Sequence, residues 1–198
     1  MNLIFCLKDL YINKDYSISK QVEQVLVENF KILYNLEEKD VEFSQGCDAS
    51  FDFRLKDLLF ELKIMSSLLY SIEISRANGD PSGITSSKAD YYIIINPGKL
   101  YSQEVMKIRI MSRRKLSHLA SEKKTDSKNI KIYQPNAVNS LGSICINVNP
   151  KEVTHDFIGY FAIAEKIGAD YYVDFAKPIF FDTDRFCSLF VGEILKTK

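Results

Sequence analysis

Histidine and cysteine are scarce in this 198-residue chain: two of one, four of the other. Cys6, Cys47, Cys145 and Cys187 lie far apart, with no C-x-x-C. None has a neighbouring Cys or His at ligand spacing, and neither His118 nor His155 has a metal-binding partner nearby, which argues against a structural zinc site. Four scattered thiols suit a reduced, cytoplasmic protein. No apolar stretch approaches the roughly 18 residues a membrane span requires. The start, Met1-Asn2-Leu3-Ile4-Phe5-Cys6-Leu7, has no basic leader or small-residue cleavage site and reads as mature sequence. There is no G-x-x-x-x-G-K-[ST], no G-x-G-x-x-G and no G-x-S-x-G, so neither nucleotide-binding loop nor the serine-hydrolase elbow is present. Net charge is zero.

Apolar residues make up 46% of the chain, with 13 Phe and 11 Tyr, enough to build one sizeable core. We read residues 1–198 as a single domain with a core at about 17–96 and an elaboration over 99–198. Charge is unevenly spread: residues 99–133 hold ten basic and three acidic side chains. Such a concentration is what a surface meeting a phosphate backbone needs, although a solvated lysine-rich helix would look the same. Lys107, Arg109, Arg113, Arg114 and Lys115 alternate with apolar residues there and, with Lys88, are the candidate contacts to nucleic acid.

Helical spacing of Val22, Val25, Leu26, Phe30 and Leu33 predicts a helix from 17 or 19 to 36, capped by Ser19, with Glu23 at the border of its apolar face. Strands are predicted at 50–55 and 58–65 around a turn at Lys56-Asp57. A third strand at 69–75 would continue the meander, and the residues around Gly79 and Pro81 form a turn. The apolar run 89–95 suits a strand buried on both faces. A strand at 106–111, a helix at 113–120 capped by Ser112, a charged loop at 121–129 and a strand at 144–148 follow. The remainder reads as helices at 157–167 and 183–196, with short strands at 171–175 and 179–181 between them. This order implies an α/β fold with a mixed central sheet flanked by helices.

The chemistry concentrates in Asp52 and in Glu61-Leu62-Lys63. Side chains alternate along a strand, so Glu61 and Lys63 share one face while Phe60, Leu62 and Ile64 share the other. Asp52 lies across the hairpin. Two carboxylates and a backbone carbonyl, that of Leu62, suit Mg²⁺, which prefers hard oxygen donors and keeps several waters. A bound divalent cation activates water and takes up charge on a phosphate. Lys63 would orient the water, help deprotonate it or neutralise developing charge. A salt-bridge ladder on a strand face is the competing reading of Glu61-x-Lys63 alone.

With these residues in view, the chain resembles the PD-(D/E)XK nuclease superfamily, of restriction-endonuclease-like fold. That family carries an acid at the start of the second strand of its core, matched by Asp52, and (D/E)-x-K on the third, matched by Glu61-Leu62-Lys63. Glu23 corresponds to the acid many members carry on the first helix. Ile72-Glu73-Ile74-Ser75-Arg76, then Pro81-Ser82-Gly83-Ile84 and Ala89-Asp90-Tyr91-Tyr92, is similar to a group of phage- and bacterium-borne members. The resemblance covers about residues 17–96. Phe51 stands where the family name has proline, and the C-terminal half matches no family motif. The resemblance implies a Mg²⁺-dependent endonuclease or other deoxyribonuclease, active also with Mn²⁺, in a bacterial cell or phage-infected host. It implies catalytic Asp52, Glu61, Lys63 and Glu23, and metal held by Asp52, Glu61 and the Leu62 carbonyl. Glu73 is either a further metal acid or a strand-face acid paired with Arg76 or Lys88. Cutting both strands would suit a homodimer. The same fold also serves catalytically inactive nucleic-acid-binding or protein-interaction modules, and a host-takeover inhibitor is a third class.

Overall fold

The computed structural model describes residues 4–6, 16–45, 50–65, 69–96, 105–134, 141–153, 156–168 and 170–181. Helix α1 (Tyr16–Tyr34) has no internal Gly or Pro and buries Val22, Leu26, Val27 and Phe30 along one face. It ends where Asn35 turns left-handed at φ 49° and the Leu36 N–H reaches the Lys31 carbonyl at 3.0 Å, a Schellman closure.

An antiparallel meander follows: β2 (Val41–Phe43), β3 (Phe53–Leu55) and β4 (Leu58–Ile64). The two-residue turn Lys56-Asp57 joins β3 to β4, with Phe53 opposite Phe60, their rings stacked at 5.1 Å. This meander starts one strand earlier than the sequence reading places it, because β2 is partly exposed and, at three residues, too short for the alternation of Val41-Glu42-Phe43 to betray it.

The expected third strand exists as β5 (Tyr70–Arg76) but does not join the meander. One edge of β4 is taken by β3 and the other, in parallel, by β6 (Tyr91–Asn96). β5 pairs instead with β9 (Ser143–Val148), which pairs with β8 (Ile130–Tyr133), forming a second, three-stranded sheet. The larger sheet has eight strands in the order β1-β11-β10-β7-β6-β4-β3-β2, with β1 (Ile4–Cys6), β7 (Val105–Ser112), β10 (Asp156–Ile167) and β11 (Asp170–Phe181). As its sequence implies, β6 is buried in the sheet interior, Tyr92 to Asn96 being inaccessible.

The predicted helix at 157–167 is the strand β10, and the two short strands after it are one strand, β11. A short apolar run does not distinguish helix from strand. Gly159 weakens a helix, and here it sits at a register shift against β7, where a glycine suits a bulge. Ladders on both sides, from β7 and β11, complete the pairing. Helix α2 (Arg113–Lys123) starts at Ser112 as expected, though that side chain makes no cap bond, and runs into the stretch read as a loop. Ser127–Asn129 there forms a short turn of 3-10 helix. The helix expected at 183–196 lies outside the described residues, as do Ser66, Ser67, Cys47, Cys187 and His155.

Two apolar clusters lie on opposite faces of the large sheet. α1 packs with Phe53, Phe60, Leu62, Ile93, Ile108 and Ile110. On the other face Tyr92, Ile94 and Met111 meet Tyr70, Ile72 and Ile146 of the small sheet and Leu116 and Ala120 of α2. The protein is mixed α/β, and a second sheet, together with α2, covers the face where helices alone were expected. No helix of the described residues is long and apolar enough to cross a membrane. Cys145 is a free, buried thiol.

Candidate metal and nucleic-acid site

β3 is three residues long and β4 seven, so β4 outruns its partner. The last pair before the gap is Phe53 with Phe60. Asp52 then bends away, and its carboxylate takes over the ladder: Oδ2 accepts from the Leu62 N–H at 2.7 Å, while the Asp52 N–H donates to the Phe60 carbonyl at 2.8 Å. In a strand the N–H and C=O of one residue project to the same side. The Leu62 carbonyl therefore also faces the Asp52 side.

Glu61 and Lys63 stand beside this gap on one face of β4. Lys63 Nζ donates to Glu61 Oε1 at 2.5 Å. The neighbouring rows of that face follow from register: Glu61, Tyr92 and Met111 in one, Lys63, Ile94 and Arg109 in the next. Glu23 reaches the same edge from α1. It is 2% exposed and accepts from Lys20 Nζ at 2.7 Å, and Lys20 stands 3.9 Å from Asp52 Oδ1. Sequence reading missed Lys20, although its position one helical turn before Glu23 was a readable signal for an ion pair.

Three carboxylates thus face two ammonium groups. Burial first, then the Asp52 charge, pushes Glu23 up to about 7, against the pull of Lys20. Burial also raises Glu61, with Lys63 opposing and Asp52 adding to the rise. For Lys63, burial works against the ammonium, but Glu61 and Asp52 outweigh it and hold the side chain charged above the ordinary lysine range. A lysine so held is a donor and a counter-charge; it is not poised to accept a proton.

The other predicted residues are placed as follows. Glu73 lies on the small sheet, where its Oε1 accepts from Ser82 Oγ, and it is not among the leading charges acting on Glu23 or Glu61. Gly83, at φ 54°, packs against it so closely that a Cβ would press into the Glu73 carbonyl. From there the chain runs back to the site: Thr85 Oγ1 donates to the Ile74 carbonyl at 2.6 Å, and Ser87 Oγ and the Lys88 N–H donate to the Ser50 carbonyl at 3.2 and 2.8 Å. Asp90 Oδ2 accepts from the Leu59 N–H at 2.9 Å. The Pro81–Asp90 text is a strap between the two sheets.

Arg109 shares the Lys63 face and donates to the buried Asn96 Oδ1 at 2.5 Å; Lys107, two residues earlier on β7, shares that face and is half-buried. Arg113 Nε donates to the Ala89 carbonyl at 2.7 Å, and Lys88, Arg114 and Lys115 are exposed. Asp57 is exposed in the turn, and Asp48 lies outside the described residues, which leaves Asp52 as the described acid at the gap. His118 is on the surface, 3.4 Å from Glu122 one helical turn away.

Among the described residues no group of three or more His, Cys, Asp or Glu side chains is arranged to hold a metal ion. The donors at the gap are all oxygens, those of Asp52, Glu61 and the Leu62 carbonyl. Burial, with the Asp52 charge adding to it, raises the pKa of two of the three acids, and a nearby cation would favour their charged forms. By donor type and charge the set fits Mg²⁺ or Mn²⁺. Comparison with protein-family models, with curated proteins and with solved structures finds no match to this chain.

Proposed function

We propose that this protein is a Mg²⁺-dependent nuclease of the PD-(D/E)XK type, with a restriction-endonuclease-like core, that hydrolyses phosphodiesters in DNA. The observation that carries the reading is the meeting at one sheet edge of Glu23, Asp52, Glu61 and Lys63, from a helix and two strands. The order helix, meander, then a strand parallel to the third, with Asp52 at the head of the second strand and Glu61-x-Lys63 on the third, supports this reading; β5 and a short turn stand where the family core has its second helix. Asp52, Glu61 and the Leu62 carbonyl would hold the cation, which supplies a water of lowered pKa. Lys63, charged at neutral pH, would orient that water and offset charge building on the phosphate. Glu23, through Lys20, keeps Asp52 in place.

Arg113, Arg114 and Lys115 occupy the first turn of α2, where cations oppose the helix dipole at a cost of about 0.3–1 kcal/mol each. A bound phosphate would offset that cost, which supports a nucleic-acid backbone as partner. Arg109 and Lys107, on the Lys63 face, would extend the contact.

A second reading is a catalytically inactive nucleic-acid-binding or protein-interaction module on the same fold. It is favoured by the engagement of Glu61 with Lys63. Incubation with supercoiled, linear and branched DNA plus Mg²⁺ or Mn²⁺, beside Glu61→Ala and Lys63→Ala, separates the two. Metal-dependent cutting by the wild type alone supports the nuclease; DNA binding without cutting on any substrate supports the module.

A further inference from the structure

We propose that Tyr92 is a positioning residue of the metal centre: its hydroxyl holds the Glu61 carboxylate when that carboxylate turns to a divalent cation. The inference rests on the metal site of the preceding reading. Glu61 and Tyr92 are register partners on the parallel strands β4 and β6, so their side chains stand side by side on one face, about 4.8 Å apart at the backbone. Tyr92 is 2% exposed, and its hydroxyl is buried without a hydrogen-bond partner among the described residues. Ser87 lies near enough to pull the phenol's pKa down, but not at hydrogen-bonding geometry, and its own proton goes to the Ser50 carbonyl.

Buried tyrosine hydroxyls usually find a partner, and leaving one without destabilises the fold. Here the neighbourhood is the site itself: burial first, then the Glu61 charge, pushes this phenol up to about 12, against the pull of Ser87, Lys63 and Arg113. It therefore keeps its proton and remains a donor.

The need for such a donor follows from charge. Glu61 accepts from the Lys63 ammonium. A divalent cation on that carboxylate repels an ammonium, so the Lys63 hold weakens when the cation binds. A neutral phenol feels no such repulsion. Carboxylates that ligate metals are themselves held by hydrogen bonds, and loss of such a holder costs about 10–100-fold in metal affinity. Tyr92 is the neutral donor adjacent in register.

The test is Mn²⁺ titration by calorimetry on the full chain without nucleic acid, comparing wild type, Tyr92→Phe and Glu61→Ala, with thermal unfolding of each metal-free protein. The expected result is Mn²⁺ binding by the wild type that weakens about 10–100-fold in Tyr92→Phe, while the metal-free melting temperature is unchanged or higher. Equal Mn²⁺ affinity in wild type and Tyr92→Phe overturns the inference and leaves the metal site standing; lower metal-free stability at equal affinity assigns the hydroxyl to the fold instead. Wild type that binds no better than Glu61→Ala removes the metal site itself, and the inference with it. A second measurement needs no variant: the ¹³Cζ resonance of Tyr92 should move as Mg²⁺ is titrated in, and a resonance that stays fixed while Mg²⁺ binds contradicts the proposal.

Discussion

Glu61 and Glu73 are the same residue type on neighbouring seven-residue strands, each between apolar residues, yet the fold gives them different company. β4 outruns its short partner β3, and into the gap come Asp52, Lys20 and Glu23, so Glu61 is a crowded, buried acid. β5 is paired with β9 on both sides of Glu73, with a register shift just after it, and a serine hydroxyl from the strap serves its carboxylate. An acid on an alternating strand is therefore no site by itself. What makes one is a second and third carboxylate delivered by topology, with too few cations to neutralise them.

The sharpest way to break this contrast is to exchange the fates of the two acids. Lys63→Ala, which strips the counter-charge and donor from Glu61, should lower the DNA-cleavage rate by about 10²–10³-fold. Glu73→Gln should leave the rate within the same order of magnitude. Equal losses in a gel-based cleavage assay would erase the distinction between the strands.

Next in size is a stability effect of opposite sign to the functional one. Glu23 titrates at about 7 when folded, against 4.5 as the ordinary value. The folded protein thus binds that proton more tightly than the unfolded chain. Stability falls as pH rises from about 4.5 to 7, and the full cost, roughly 3 kcal/mol, is present above pH 7. Glu23→Gln should therefore raise stability by up to roughly that amount in denaturant titrations at pH 8 and change little at pH 4, while impairing cleavage. A destabilised Glu23→Gln at pH 8 would show that the carboxylate is a structural asset.

The Glu73 side should respond to backbone strain instead. Gly83→Ala places a side chain at φ 54° and against the Glu73 carbonyl. It should destabilise by about 1–3 kcal/mol or more, with Mn²⁺ affinity at the β4 edge retained. The smallest effect belongs to α2: Arg114→Glu should stabilise the helix by about 0.3–1 kcal/mol. It should also lower the slope of log affinity for DNA against log salt by about one, in a binding titration at several salt concentrations.

Much of this arrangement was readable in the chain, for local reasons. Apolar spacing shows α1, the Lys56-Asp57 turn sets the Asp52 hairpin, and alternation puts Glu61 and Lys63 on one face. The continuous run before Pro97 marks β6 as buried. What escaped depends on partners far away in sequence. Alternation in β5 tells which face is wet, not which sheet it joins. The residues of β10 are equally apolar as helix or strand until β7 and β11 supply two ladders. Tyr92 reads as a core aromatic, because nothing local reveals that β6 runs parallel to β4 with Tyr92 beside Glu61. Asp90 shows only in three dimensions that its carboxylate binds the β4 backbone.

The central claim is that the early end of β3 opens a metal centre on β4. Anomalous diffraction from crystals of the protein soaked in Mn²⁺ tests it most directly. The account predicts a single strong peak among the Asp52 carboxylate, the Glu61 carboxylate and the Leu62 carbonyl, about 2.1 Å from each by analogy with other small hard cations. Anomalous peaks elsewhere, with Glu61 still bound to Lys63, would contradict it.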